Sequence, residues 1–444
     1  MSVLFRRALV SAHAAMCILA LLPGLSLALS QDSKPSDPVD SRPLTLQAAL
    51  AETLLHSPNL QAYSLEIRAR EAEVLQAGLR PNPLLSLEVE NLLGSGEFTG
   101  TDAAETTLSL TQTIELGGKR SLRRELAKTE QLLARNDYSI AEADALAATS
   151  ADFVAVLVTQ RRLELMNHLV ELARQVEDNL RERIAAGKAA ETEVLRIFIQ
   201  RRELEAARDK TGRELSAARE KLAAGLGRQR ADFGAVAGDP TILVAPPSLE
   251  QIEKLVESSP LLRRRAAESE RRQKVVRLEQ ARRYSDLDIE VGARYLRPEE
   301  DVALVVGVSV PLPLFDRNQG NIAAARQRLA QARDEERDAL LQTRAAVFAA
   351  WQGMQSARED IGALTRDILP AAGKALEAME YGYHAGKFSL LDVLDAQRTL
   401  VEARGAHLDA LASFHGAAAE LDRLLGPEWR ALNDKPLTSV FIEE

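Results

Sequence analysis

The chain of 444 residues has little that would support thiol, metal or catalytic chemistry. Its one cysteine, Cys17, lies in an N-terminal apolar segment, so the rest of the chain has no thiol and no disulfide. The histidines are scattered, without a His-x-x-x-His pair or a methionine cluster, and nothing resembles a closed zinc or copper(I) site. No catalytic triad, His-Glu-x-x-His motif or cofactor loop is recognisable. We therefore predict a protein that is not an enzyme and binds no cofactor.

Long apolar runs are confined to the first 30 residues. Arg6 and Arg7 precede an apolar run over 8–22, and a small-residue cleavage site follows at 28–30. These features predict a secretory signal peptide over 1–30. The mature chain would carry 54 Lys and Arg against 65 Asp and Glu, a net charge of −11. An exported acidic chain without a basic patch is a poor nucleic-acid binder, which leaves a periplasmic protein or a β-barrel.

Proline is scarce wherever good helix formers dominate. It is absent from 84–239 and, apart from Pro370, from 314–426, so both regions predict long helices. In the first region, apolar and small residues recur every seven positions, which is typical of a coiled-coil seam. A helix from Ser121 to about Ala185 would be ~95 Å long at 1.5 Å per residue. This length is far too great for a compact core.

The chain contains two copies of one long unit. An Ala-Gly-Lys sequence at 186–188 recurs 199 residues later, and the offset holds without a gap to Gly227 and Gly426. A duplicated half usually builds a pseudo-symmetric solenoid or pore. We predict a linker over 31–43, a first repeat over 44–227 and a second repeat over 249–426. The segments 228–248 and 427–444 are predicted to be equatorial, which means that they surround the middle of the structure that the repeats build.

Each repeat also contains two short segments in which every second residue is apolar. They cover about 84–92 and 105–114 in the first repeat and about 286–296 and 302–312 in the second, and they predict two β-hairpins. Membrane barrel strands show this pattern, while a small soluble sheet packed on helices is the alternative. Four strands cannot close a barrel, so other copies of the chain would have to complete it. The strands adjoin one end of every long helix, which indicates a barrel continued by a helical tube.

The polar phase of these strands carries acids, with Arg294 as the exception. An acidic lumen would favour cations by raising their local concentration. Any water-filled lumen needs polar residues, so these acids also have a purely structural explanation. The candidate lumen residues are Glu88, Glu90, Asp288 and Glu290.

Three motifs around the first hairpin resemble those of one known family. They are Pro-Asn-Pro at 81–83, Glu-Val-Glu-Asn at 88–91 and Gln-Thr-Ile-Glu-Leu-Gly-Gly-Lys-Arg at 112–120. With the duplication, they make the chain similar to the outer membrane efflux factors of the TolC superfamily, and more narrowly to their cobalt-zinc-cadmium, CzcC-like branch, over about 44–426. The resemblance implies an α+β membrane channel: a homotrimer whose 12-stranded outer-membrane β-barrel is continued by a periplasmic α-helical tunnel.

The resemblance also implies a function, a location and partners. The channel would lie in the outer membrane of a Gram-negative bacterium, in contact with outer membrane lipid. It would receive divalent heavy-metal cations from an inner-membrane, proton-driven RND pump through a periplasmic membrane-fusion adaptor. Two alternatives stay open: a TolC-like channel for multidrug efflux or type I protein secretion, and a soluble periplasmic coiled-coil adaptor, which would lack the hairpins.

A candidate periplasmic gate follows the second Ala-Gly-Lys sequence. Asp392 and Asp395 are three residues apart on one helical face, and in the resembled family the matching acids line the periplasmic constriction as charge rings. Ser389 and Asp392 also match a capping box, so helix initiation is the alternative role of Asp392. At the matching positions of the first copy only one acid, Glu193, is kept.

Tyr383 matches a tyrosine of the family's gating network at the helical tip. The family's gating arginine falls on Phe388 here, which puts its salt bridges between helices in doubt. The adjacent Lys387 is one substitute. The alternative is a solvated Lys387 and a tip that opens through apolar contacts around Phe388 and Leu391.

Glycines mark the predicted turns. Those of the two Ala-Gly-Lys sequences are expected at the hairpin tips, where the adaptor would make contact; neither sequence has the glycine or the Ser/Thr of a phosphate loop. The tip residues are Gly187, Lys188, Gly386 and Lys387. Gly117 and Gly118 are expected to turn the chain from strand to helix, with Lys119 and Arg120 solvated or near lipid headgroups.

Overall fold

The structure is a computed structural model that describes residues 43–187 and 190–432. The predicted signal peptide, the linker up to residue 42, Lys188 and residues 433–444 lie outside this range. The described helices are α1 (Leu46–His56), α2 (Pro58–Ala77), α3 (Lys119–Ala185), α4 (Glu191–Gly225), α5 (Leu249–Leu255), α6 (Pro260–Arg282), α7 (Gln319–Ala363), α8 (Leu369–His384) and α9 (Leu390–Leu425). The strands are β1 (Leu44–Thr45), β2 (Leu84–Glu90), β3 (Glu105–Ile114), β4 (Val236–Ala237), β5 (Leu287–Leu296) and β6 (Asp301–Ser309).

Helix α3 is the longest described element, with 67 residues and therefore a length of ~100 Å. Its seven-residue pattern packs largely as the sequence predicts, because Leu133 and Ala147 are buried against neighbouring helices. Gly118, with φ 71°, precedes α3, and Gly187, with φ 69°, follows it. No helix within the described ranges has an apolar stretch long enough to cross a bilayer.

The second repeat builds its long rod from two helices. Between α7 and α8, residues Leu364–Ile368 form a π-helical turn, and Pro370 lies in the first turn of α8. A proline inside a helix lacks the N–H group and clashes with the carbonyl four residues earlier. The wider turn accommodates this defect, so the rod continues through Pro370 to the tip.

The four longer strands form one antiparallel sheet in the order β2-β3-β5-β6. Strands β3 and β5 pair along ten residues, which joins the hairpins of the two repeats into a single sheet. Gly292 in β5 faces Ser109 in β3, and a Cβ atom at Gly292 would lie 2.7 Å from the Ser109 Cβ. The register therefore requires glycine at this position. Within the described residues, β2 and β6 have no further strand neighbour.

One face of this sheet is apolar and exposed. Every second residue of β6 belongs to it, including Leu304 with 77% of its surface exposed. The other face carries the polar residues of the strands, and Thr107 and Ser109 of β3 are buried there. This arrangement inverts the usual one, in which the apolar face of a sheet is buried.

Two buried apolar clusters lie around the middle of the rods. Phe153 and Leu157 of α3 pack with Leu222 of α4 and with Phe233 from the connection between the repeats. In the second cluster, Trp429 is fully buried and packs with residues of α7 and α9. The inter-repeat segment and the described start of the C-terminal segment therefore both pack on the helices far from the sheet and from the tips.

Candidate functional site

The two helical hairpins pack against each other near their tips. Gly187 and Gly386 both adopt left-handed backbone conformations, with φ 69° and 73°, and a left-handed residue typically ends a helix. Close behind the tips, a small apolar cluster joins the hairpins through Leu180 of α3, Ile197 of α4 and Leu390 of α9. The predicted gate residues surround this cluster.

Tyr383 bridges the two hairpins through its hydroxyl group. Arg183 of α3 donates a hydrogen bond from Nη1 to the Tyr383 hydroxyl over 3.0 Å, and the hydroxyl lies 3.5 Å from a carboxylate oxygen of Glu193 in α4. The Arg183 guanidinium also lies 5.2 Å from the centre of the Tyr383 ring. Burial raises the pKa of Tyr383, with Arg183 opposing and Glu193 reinforcing that rise. The protonated hydroxyl can therefore accept from the arginine and donate to the glutamate.

Arg183 is not among the residues predicted from the sequence, because the resemblance implies a basic partner only in the second copy. An arginine one helical turn before Gly187 was the available signal. Lys387, the substitute considered there, has an exposed side chain, while its backbone N–H donates to the Gly382 carbonyl over 2.8 Å. Arg183, and not Lys387, is therefore the basic residue that contacts Tyr383 in the described structure.

Phe388 packs back onto its own hairpin. A Cβ atom at Gly382 would lie only 2.0 Å from Cδ2 of the Phe388 ring, so the ring lies directly on the glycine. Phe388 is still 43% exposed, and Leu391 one turn further is also exposed. Apolar surface therefore stands at the second tip where the resembled family has a charge.

The two predicted gate acids have different surroundings on α9. Asp392 forms a capping box, in which the Ser389 backbone N–H and hydroxyl donate to Oδ2 over 2.8 and 2.7 Å. These bonds, the hydroxyl first, lower the pKa of Asp392. Asp395 is exposed and pairs with Arg398 at 2.5 Å. Glu193 belongs to the Tyr383 contact, so the structure does not bring the three acids together.

Asp395 lines an open groove between α4 and α9. The groove has a volume of about 630 Å³, with Ile199, Leu391 and Leu394 among its apolar residues and Arg196 among its charged ones. A second groove of about 550 Å³ lies between α3 and α8, beside Arg183 and Tyr383. Both grooves are at the tip end of the hairpins.

A buried carboxylate that no sequence motif indicates also lies near the first tip. Glu177 of α3 is only 2% exposed and accepts hydrogen bonds from Arg181 and, over 2.5 Å, from Arg201 of α4. A buried acid is tolerated when it is paired and hydrogen-bonded in this way. The ion pair of Glu177 in α3 with Arg201 in α4 therefore holds these two helices together.

At the other end of the molecule, Arg294 of β5 holds acids of two other strands together on the polar face of the sheet. Its guanidinium lies 2.9 Å from Glu105 in β3 and 3.3 Å from Glu90 in β2, and it donates to the Thr107 hydroxyl over 3.0 Å. Glu105 was missed as a candidate lumen acid, although the pairing of the predicted hairpin places it opposite Glu90.

The other predicted lumen acids lie on the same face. Asp288 in β5 accepts a hydrogen bond from the Thr113 hydroxyl over 2.6 Å. Glu88 and Glu290 lie in register with Thr107 and Thr111 of β3, respectively. The strands thus carry all four predicted acids on their polar face. Arg294 binds one of them, Glu90, and also binds Glu105.

The strand-to-helix junction differs from its prediction at one residue. Gly117 and Gly118 both adopt left-handed conformations, with φ 70° and 71°. Lys119 is expected from the sequence to be solvated or near lipid headgroups, but it is buried and its ammonium group lies 2.8 Å from Asp286. The left-handed pair turns the chain so that this side chain reaches the residue before β5. Arg120 is exposed.

Across residues 43–187 and 190–432, no group of three or more His, Cys, Asp or Glu side chains is placed to hold a metal ion. Charged side chains at the tips and on the sheet can attract or repel ions without forming such a group.

Known proteins place this geometry in a family. A family model described as outer membrane efflux protein matches residues 49–228 and 251–427, one segment in each half of the chain. The chain belongs to the outer membrane efflux protein family. The resemblance drawn from the sequence motifs is thereby confirmed, and with it the location in the outer membrane of Gram-negative bacteria, with the long helices in the periplasm.

Individual relatives narrow the likeness. The cobalt-zinc-cadmium resistance protein CzcC of Cupriavidus metallidurans is 32% identical over 415 residues, which are 93% of this chain and 98% of that protein. The nickel-cobalt-cadmium resistance protein NccC of Alcaligenes xylosoxydans xylosoxydans is 28% identical over 294 residues, 64% of each chain. The crystal structure of the outer membrane protein VceC from Vibrio cholerae has the same fold, with a TM-score of 0.73 and 20% identity over 86% of this chain and 96% of that one.

Proposed function

We propose that three copies of this chain form the outer membrane channel of a tripartite efflux system that exports divalent heavy-metal cations. A periplasmic adaptor and an inner-membrane, proton-driven RND pump would deliver the cations to the helical tips. One observation carries the channel proposal: a four-stranded sheet with an exposed apolar face and two open edges stands at one end of rods about 100 Å long.

The open edges support oligomerisation. Strands β2 and β6 each leave a row of backbone donors and acceptors without a strand partner among the described residues. A sheet edge in a lipid phase is costly, because no water is present to satisfy those groups. Pairing β6 of one copy with β2 of the next satisfies both edges, and three copies give a 12-stranded barrel, which is within the size range of outer membrane barrels.

The two faces of the sheet support one orientation of this proposed barrel. Its apolar face turns towards lipid and its polar face towards the lumen, as in other membrane barrels. Glu88, Asp288 and Glu290 then line the lumen, together with the charge group of Arg294, Glu90 and Glu105. The acids outnumber the arginine, so the lumen favours cations.

The proposal that the cargo is a divalent heavy-metal cation rests on the relatives of this chain and on the excess of acids in the proposed lumen. CzcC, which the chain matches over almost its full length, is named for resistance to cobalt, zinc and cadmium. A conduit must release its cargo, so the absence of a metal-binding group among the described residues is compatible with metal export but does not support it.

The gate proposal uses the tip residues. We assign closure to the contact of Tyr383 with Arg183 and Glu193, which ties the second hairpin to the first. In the trimer, three copies of Asp395, and of Asp392 beside it, would form negatively charged rings at the periplasmic entrance. The glycine turns at 187 and 386 stand at the extreme tips, where an adaptor has access.

Deletion of the gene tests the cargo. Growth of the deletion strain is compared with that of a complemented strain on graded cobalt, zinc, cadmium, nickel and copper, with detergents and antibiotics in parallel. We expect sensitivity to divalent metals only, with raised cell-associated metal. Sensitivity to drugs alone would refute the heavy-metal cargo and move the channel to multidrug efflux. Light scattering of the detergent-extracted protein tests the trimer, and a mass of one or two chains contradicts it.

A further inference from the structure

We propose that the strand-to-helix junction binds a phospholipid from the inner leaflet of the outer membrane. The phosphate would be held by Arg283 and an acyl chain would lie in the adjoining apolar groove. The inference uses the outer membrane location but is independent of the metal cargo.

The groove lies where the second hairpin meets the helices. It has a volume of about 430 Å³ and is walled by Leu116, Tyr284, Val310 and Leu312, with no carboxylate in its described lining. Gly117 contributes to its floor, since a Cβ atom there would lie 3.0 Å from Cδ2 of the Tyr284 ring. The site is therefore shaped for a hydrocarbon chain.

Arg283 places a cation at the rim of this groove. Its Nη2 donates to the Tyr284 hydroxyl over 2.7 Å, and its guanidinium carbon lies 4.8 Å from the centre of the same ring. The ring thus holds the guanidinium in place while most of its five N–H groups stay available. Guanidinium groups bind phosphate oxygens through such paired donors.

The groove continues the apolar face of the sheet. Val308, at the end of β6, Val310 and Leu312 follow each other at every second position, and all three are exposed. Phe315, with 90% of its surface exposed, follows in the same connection. The face that meets lipid along the strands therefore extends to the level where the helices begin, which is the level of lipid headgroups.

The net charges at the two ends of the sheet differ in sign. The exposed arginines of the junction end are Arg80, Arg120, Arg282, Arg283 and Arg317. The exposed acids of the opposite end are Glu97, Asp102, Glu299, Glu300 and Asp301. The junction end also has the exposed Asp316 and the opposite end the exposed Arg297, so the difference is one of net charge. Only the junction end is complementary to lipid phosphates, and long arginine side chains reach headgroups readily at such an interface.

A neighbouring copy of the chain is the other occupant to test. The lipid is favoured because the groove combines an apolar wall with a cation that is pre-positioned at its rim, and its described lining residues include no carboxylate. A protein segment in the same place would need to supply an acid for Arg283 as well as apolar side chains.

The test counts lipids on the purified full-length protein. The chain is extracted in dodecyl maltoside, incubated with 1-palmitoyl-2-oleoyl phosphatidylglycerol or phosphatidylethanolamine, and examined by native mass spectrometry. Arg283→Ala should lower lipid affinity by about tenfold, the usual worth of a charge-assisted bond pair. Arg282→Ala is the matched control, because Arg282 is exposed beside it but pairs with Glu279. It should retain wild-type binding.

Two outcomes overturn the proposal. One is equal lipid binding by the two arginine variants, which includes the case of no binding by either. The other outcome would come from the variant Leu312→Cys, whose new thiol is easily followed because Cys17 is the only native cysteine. Efficient cross-linking between copies through this cysteine would assign the groove to a neighbouring chain. Modification by a lipid-soluble maleimide without cross-linking would support the lipid site. Metal resistance is not part of either readout, so the two proposals fail independently.

Discussion

Arg183 donates a hydrogen bond to the hydroxyl of Tyr383 over 3.0 Å, so the first helical hairpin holds the second near the tips. The two residues are 200 positions apart in the chain and belong to different copies of the repeat. The contact is polar, directional and part-buried, unlike the apolar packing of Leu180 and Ile197 behind it. Such a contact suits the proposed gate, because its loss does not require the helices to unfold.

Tyr383→Phe tests this contact with the least change in shape. The variant keeps the ring beside Arg183 and removes the hydroxyl that accepts its hydrogen bond. A hydrogen bond contributes about 1 kcal/mol, so the open fraction should rise about fivefold. Conductance of single channels in planar bilayers measures it. Tyr381→Phe is the control, since Tyr381 is exposed. Equal open fractions for the two variants would remove Tyr383 from the gate.

Gly382→Ala tests the packing of the second tip. Its methyl group would overlap the Phe388 ring, which must then move off the glycine and expose the turn. Trypsin cleavage after the exposed Lys387 should become about fivefold faster, because cleavage follows the population of the opened turn. Gly373→Ala is the control, since it meets nothing within 4 Å in the same helix and should stabilise it by about 1 kcal/mol. Identical cleavage rates would contradict the packing argument.

Substitution of Asp392 and of Asp395 should distinguish a residue that caps helix α9 from a residue of a charge ring. Asp392→Asn removes the carboxylate that accepts from Ser389, so amide hydrogen exchange at the start of α9 should accelerate. Asp395→Asn should leave that exchange unchanged and lower the cation preference of the channel. The reverse pattern would interchange the two roles.

The Asp392 cap should also depend on pH in one direction. Its pKa in the folded protein is below the ordinary 3.8, so the cap is complete above that value and is lost as the pH falls further, towards the folded pKa. The protection of the first amides of α9 from exchange, taken relative to their intrinsic exchange rate at each pH, should therefore fall only in this acidic range. A loss of protection that begins near neutral pH would contradict the assignment.

His415 should make the folded protein less stable in acid. Burial, with a smaller effect of Arg430, lowers its pKa from the ordinary 6.5, while its ring nitrogen bonds the Pro240 carbonyl over 2.8 Å. The unfolded chain then binds the proton first, so stability is complete above about 6.5 and falls as the pH decreases towards the folded pKa. His415→Gln keeps an N–H donor and should flatten the fall in unfolding temperature between about pH 8 and about pH 5. His168→Gln, on the exposed surface of α3, should not.

The sequence predicts best what depends on neighbouring residues. The absence of proline and the seven-residue pattern locate α3 to within two residues at its start, because helices form from local hydrogen bonds. Alternation locates the strands, and the repeated glycines locate the tips. The sequence shows Pro370 as an interruption of the helix but does not show the π-helical turn before it. A helix can accommodate the missing N–H group of a proline by a wide turn or by a kink, and the sequence does not distinguish the two.

Contacts between distant segments escape such patterns. The pairing of β3 with β5 requires the register of two hairpins that belong to different repeats. The burial of Lys119 depends on Asp286, which is 167 residues away, and the partner of Tyr383 lies in the other copy. Each of these is an ordinary polar or backbone interaction, and only the fold determines which residues meet. The sequence therefore names Tyr383 and Glu193 for the candidate gate but not Arg183, which only the fold brings to them, and the gate itself stays a prediction.

Arg294 offers a test of the lumen that does not involve the tips. Arg294→Gln keeps a donor for Thr107 and removes the charge that neutralises Glu90 and Glu105. Each subunit then has one more uncompensated negative charge in the proposed lumen, so the reversal potential in a potassium chloride gradient should shift towards ideal cation selectivity.

Arg297→Gln is the matched control for this shift. Arg297 is exposed beyond the end of β5, where it bonds Thr101 outside the paired strands. Its loss removes the same charge from the chain but not from the polar face of the sheet, so selectivity should change much less. An equal shift in both variants would mean that total charge, not the lumen position of Arg294, sets the selectivity. No shift in a folded, conducting Arg294→Gln channel would place this face of the sheet outside the ion path.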